Sequence, residues 1–102
     1  MTISSGFQVF PEVAPEIASA WSGVVRALDQ HSALDPLTEE LAYLSVLAAL
    51  GMHGGIGFHA AQACQHGATR EQVVSAVLLG LPAAGHRVLD ALPVALAAFD
   101  AV

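Results

Sequence analysis

Two helix-forming stretches meet at a corner between Glu40 and His59, and the rest of the chain must accommodate it. The first stretch, residues 41–50, is almost wholly apolar and stops at Gly51. The segment 52–57 then places three glycines in six residues, which breaks any helical preference before a second helix-like stretch carries His59 inward. A segment apolar on nearly every side, as 41–50 is, predicts a fully buried helix rather than a surface one.

Helix signals surround this corner. Pro11 and Pro15 suit a helix entrance, and Ile17, Trp21, Val24, Val25 and Leu28 recur at three-to-four spacing, which predicts a first helix over about 14–30. Asp35-Pro36 is a start signal for a second helix at about 36–50, with Glu39 and Glu40 in its positive-dipole turn. A third helix begins within 52–57 and ends at Gly67, a natural left-handed cap. Thr69-Arg70-Glu71-Gln72 reads as a capping box for a fourth, which Gly80 and Pro82 end or bend. A fifth covers about 84–99 with Val88, Leu89, Leu92, Leu96 and Phe99 inward, kinked or split at Pro93. Residues 1–10 look extended or irregular. The expectation is therefore an all-α protein: one domain over 1–102, a bundle of about five helices with an N-terminal arm at 1–12.

Composition narrows the function classes. The chain is 55% hydrophobic and 12% charged, with mean hydropathy +0.61 and 102 residues. A monomer of this size exposes too much surface to remain so apolar, so a homo-oligomer is expected. Net charge is −6, with three arginines and no lysine, which repels phosphate backbones and anionic membranes. Nucleic acid and membrane are thus not expected partners. The apolar run is also about half the length a membrane span needs, and residues 1–10 carry no signal-peptide pattern. The lone Cys64 excludes an internal disulfide and fits a reducing cytoplasm.

His59 is the strongest candidate for chemistry, as general acid/base or proton carrier. Its alternative is a buried helix histidine bonded to a backbone carbonyl or to Glu40. An inward Glu40 needs a partner, and His59 is the natural one. His53 faces the same corner from the glycine turn. His59 and His66 are seven apart, about 10 Å along a helix, too far to share a metal, so neither metal nor cofactor is expected. Tyr43 and Trp21 read as core or interface aromatics.

Three pieces, in order, resemble one family. They are Leu34-Asp35-Pro36-Leu37-Thr38-Glu39-Glu40-Leu41, His59-Ala60-Ala61-Gln62-Ala63-Cys64-Gln65-His66-Gly67-Ala68-Thr69-Arg70-Glu71-Gln72, and Leu79-Gly80-Leu81-Pro82-Ala83-Ala84. Over about 34–90 the chain is similar to the carboxymuconolactone decarboxylase superfamily, which includes the alkylhydroperoxidase D-like proteins. The resemblance implies a homotrimer or homohexamer. The redox branch carries Glu-x11-Cys-x-x-Cys-x3-His. On this chain its acid falls on Glu40 and its imidazole on His59, while Met52 and Gly55 stand where its cysteines would be. Neither can form a thiolate, so dithiol peroxide reduction is not expected. Cys64, five residues past His59, reads as outward-facing. The decarboxylase branch acts on a dicarboxylate lactone, for which Arg87 with His86, just past Gly80-Leu81-Pro82, are the best-placed cations. The leading expectation is a cofactor-free small-molecule enzyme with His59 and Glu40 as a relay and His53, Met52, Gly55, His86 and Arg87 lining its pocket. The alternatives are a peroxidase-like protein without its own dithiol and a non-catalytic oligomeric or ligand-binding scaffold.

Overall fold

The computed structural model describes residues 5–102. Seven α-helices and one 3-10 helix account for nearly all of them, and among the described residues there is no strand. The chain divides into two compact units, an N-terminal pair of helices and the remainder from Asp35 onward.

In the N-terminal unit, α1 (Ser5–Val13) packs on α2 (Pro15–Gln30). Helix at Ser5–Val13 differs from the extended arm expected there; residues 1–4 of that arm lie outside the described residues. Phe7, Phe10 and Val13 already carry a three-residue helical period, and packing against α2 favours the helix. Pro11 sits inside α1 rather than at a helix entrance. Pro15 does open a helix, and it places the break one residue earlier. Ala14 is driven to φ −144° and ψ 65° because the proline ring disfavours helical geometry in the residue before it.

The larger unit begins at the expected start signal. Asp35 caps α3 (Pro36–Leu50): its carboxylate accepts from the Thr38 backbone N–H at 2.8 Å and from the Thr38 hydroxyl at 3.1 Å. These bonds, the backbone one first, hold the Asp35 carboxyl below the usual carboxylate range. Gly51 ends α3 at φ 71°, a left-handed geometry that a side chain would strain. Only Met52 separates it from α4 (His53–Gln65). The α4 sequence has poor helix propensity at Gly54, Gly55 and Gly57, yet Ile56, Ala60 and Ala63 are buried and pay the entropy back through packing. Small side chains bring α4 close to α7 (Ala91–Asp100): a Cβ on Gly57 would lie 3.7 Å from that of Ala98.

Gly67, at φ 94°, leads into α5 (Arg70–Leu78), whose Thr69–Gln72 capping box forms in both directions. At the turn after α5 a Cβ on Gly80 would lie 3.4 Å from the Ala49 Cβ, so this glycine lets the turn close on α3. The helix expected over about 84–99 is 3-10 in its first part and α-helical only from Ala91, and a short α-helix precedes it. α6 (Leu81–Ala84) stops at Gly85, a 3-10 helix runs Gly85–Asp90, and α7 follows. Pro93 consequently sits in the first turn of α7, where its missing N–H costs little, instead of kinking a long helix. Residues Arg70–Asp100 would be long and apolar enough to cross a membrane as one helix, with hydropathy 1.3. Gly85 at φ 78° interrupts them, and α5 packs back against α7.

Leu44, Ile56, Val73, Val77 and Val88 are the largest fully buried side chains of the core. Complete burial of α3 does not occur within one chain. Leu44, Leu47 and Ala48 are enclosed, but Tyr43, Val46 and Leu50 remain about half exposed, because α4, α5, α6 and the 3-10 helix together leave part of the α3 surface uncovered. Val88 is buried as expected, whereas Leu89, also expected inward, is exposed, because the residues of the tighter 3-10 turn follow a different period from those of an α-helix.

Candidate functional site

Glu40 is the fifth residue of α3, just past its first turn, so the helix dipole alone does not account for it. Its side chain is directed toward α4. His59 Nδ1 lies 2.6 Å from Glu40 Oε2, linking positions nineteen apart in sequence. The side chains are 23% exposed at His59 and 20% at Glu40, so the pair is sheltered yet reachable. Partial burial strengthens the bond and leaves the pair accessible to a small molecule.

The bond determines what His59 can do. With a carboxylate accepting at Nδ1, the neutral imidazole carries its proton on Nδ1 and leaves the Nε2 lone pair free. Two rings meet the imidazole edge-on. Tyr43 stands at 4.6 Å between centroids and 69° between planes, and Phe58 at 5.0 Å and 79°. Tyr43 is three residues beyond Glu40 on α3, on the same face. That spacing was the signal for it, hidden by the uniformly apolar run around it. Phe58 carried no comparable signal beyond its place next to His59.

Gly55 is one turn before His59 on α4. A Cβ there would fall 3.1 Å from Leu47 Cδ1 and 3.9 Å from His59 Cδ2. The glycine thus lets α4 close on Leu47 and lies beside the Cδ2 edge of the imidazole. Of the residues read from the sequence, Glu40, His59 and Gly55 come together. Met52 is the half-exposed N-cap of α4, and His53 is exposed beside it. His86 and Arg87 lie exposed on the 3-10 helix. Among the described residues, His53, His86 and Arg87 form no side-chain hydrogen bond or ion pair with Glu40 or His59.

Cys64 is partly buried rather than outward-facing, because α3 and α7 both pack against α4. His66 caps α4 in solvent. Among the described residues no three His, Cys, Asp or Glu side chains gather into a group able to hold a metal. Arg70 is committed elsewhere. It donates to Asp100 at 3.1 and 3.3 Å, joining the start of α5 to the end of α7, and the carboxylate raises its pKa. An open, mostly apolar groove of about 470 Å³ runs between α3 and α5, lined by residues including Thr38, Leu41, Gln72, Ser75 and Leu79. It opens on the other side of α3 and includes neither Glu40 nor His59.

The sequence and the fold match known proteins. Residues 15–97, more than half of the chain, match the carboxymuconolactone decarboxylase family, and the chain belongs to it. An uncharacterised protein of Cupriavidus necator is 30% identical over 100 residues, covering 98% of this chain and 88% of its own. The apo crystal structure of a carboxymuconolactone decarboxylase family protein from Legionella pneumophila superposes with a TM-score of 0.76 at 29% identity, covering 90% of this chain and 82% of that one.

Proposed function

We propose that this chain is a cofactor-free small-molecule enzyme in which His59 moves a proton through Nε2 while Glu40 orients it. The 2.6 Å bond between Glu40 and His59 Nδ1 carries this reading. In the forward direction Nε2 removes a proton from a weakly acidic O–H or C–H. The resulting imidazolium is stabilised by the Glu40 carboxylate, and Nε2–H returns the proton at another atom of the same molecule. No thiol takes part: the positions nearest the family's redox cysteines are Met52 and Gly55, and neither can be oxidised to a disulfide.

The test is hydrogen–deuterium exchange into carbon acids and unsaturated lactones in D2O, followed by proton NMR. Wild type is expected to speed exchange at one carbon position. His59→Asn should lower that rate by about 10²–10⁴-fold, with a smaller loss for Glu40→Gln. Equal rates in wild type and His59→Asn would reject the relay and favour a scaffold in which the pair is structural.

Self-association belongs to the same reading. Val46 and Leu50 on α3, and Ile17, Trp21 and Leu28 on α2, are exposed apolar side chains of the kind that other copies of a chain bury. A trimer or hexamer in light scattering is the expected outcome, and a monomer would overturn it. A cytoplasmic location fits the single unpaired cysteine.

A further inference from the structure

The surroundings of His59 are specific about charge and shape. Its ring is flanked by the edges of Tyr43 and Phe58, its Nδ1 is taken by a carboxylate, and its Cδ2 edge opens over a glycine. Both flanking rings retain solvent exposure, 48% at Tyr43 and 37% at Phe58, so each can still cover a bound molecule. The chain has only three arginines and no lysine. Arg70 is held by Asp100, and among the described residues Arg87 forms no hydrogen bond or ion pair with Glu40 or His59. The charged group bonded to this imidazole is the negative one on Glu40.

Resting on the proton-relay reading, we infer that the ligand taken at His59 is an uncharged aromatic or conjugated ring compound with a weakly acidic O–H or C–H, and not a carboxylate. Tyr43 and Phe58 determine this specificity. Their rings supply dispersion and quadrupole contacts to a flat ligand standing over Nε2. A carboxylate placed there would face Glu40 across one imidazole and find no guanidinium to pair with it. With its net charge of −6, the chain as a whole also steers anions away.

The test uses two ring compounds of the same size, phenol and benzoate, titrated at pH 8, where histidine is ordinarily neutral. The readout is the 15N and 13C signals of the His59 imidazole, assigned by loss in His59→Asn. Phenol is expected to shift them with an affinity roughly tenfold or more above that of benzoate. Tyr43→Ala should weaken phenol roughly two- to tenfold, and Phe58→Leu, which keeps an apolar side chain of moderate size, should weaken it less. Benzoate binding as well as phenol overturns the inference, and its loss in Arg87→Ala would identify the missing cation. Phenol leaving the His59 signals unmoved overturns it too. Either result leaves the relay itself to be judged by the deuterium exchange of His59→Asn, so the two failures are separable.

Discussion

Leu47 fills the space that a side chain on Gly55 would need: a Cβ there would come within 3.1 Å of Leu47 Cδ1, and Leu47 is only 3% exposed. Gly54, its neighbour, has nothing within 4 Å. Replacing a helical glycine by alanine ordinarily gains about 0.5–1 kcal/mol. Gly54→Ala is expected to show most of that gain in urea unfolding. Gly55→Ala should show none or a net loss, because a core leucine must move to admit it. Equal stabilisation by both would mean that Leu47 is free to repack.

The tautomer of His59 is directly measurable. Long-range proton–nitrogen NMR should find the neutral ring protonated at Nδ1, the atom 2.6 Å from Glu40. Glu40→Gln presents an amide that bonds either tautomer, so a mixture of the two should appear, with a loss of about 1 kcal/mol in stability after allowing for solvent access. A wild-type ring protonated only at Nε2 would contradict the geometry.

The Thr69–Gln72 capping box predicts a coupled pair of substitutions. Thr69→Ala removes the acceptor for the Gln72 backbone N–H, at 3.1 Å, and should cost about 1 kcal/mol. Gln72→Ala removes the reciprocal bond at 2.9 Å. The double variant should lose less than the sum, since each bond orients the other. Strict additivity in thermal unfolding would show that the box does not act as a unit.

Acid should loosen the start of α3. The Asp35 carboxyl is held below its unfolded value of about 3.9 by its bonds to Thr38. A depressed acid contributes stability above that unfolded value and loses it as pH falls through the folded one. Wild type should therefore lose more stability than Asp35→Asn between pH 5 and 2.5. Parallel curves for the two proteins would exclude a role for the cap charge.

The sequence was most legible where local chemistry decides. Asp35-Pro36, Gly51, Gly67 and Thr69-x-x-Gln72 placed helix boundaries because each satisfies or interrupts backbone bonds on the spot. It was least legible where packing decides. Residues 5–13 adopt a helix through contact with α2, and the half-exposure of α3 depends on how many helices reach it. Nor did periodicity reveal that the helix expected over 84–99 begins as a 3-10 helix after Gly85, a residue at φ 78°. At the site, Glu40, Gly55 and His59 were readable as spacing. Their aromatic neighbours were not, because Tyr43 lies in a run where every residue is a plausible core member. His86 and Arg87 lie on that 3-10 helix.

The connection of α3 to α4 through Gly51 and Met52 alone has a kinetic consequence. Glu40 and His59 are nineteen residues apart, and helix formation takes up nearly all of that separation. Little loop entropy remains to be lost when they meet. Whereas α7 must return from the far end of the sequence to cover α4, the acid and the imidazole are neighbours on a hairpin of consecutive helices. The Glu40–His59 pair is thus a local feature of the fold, closed across a short connection rather than across the length of the chain.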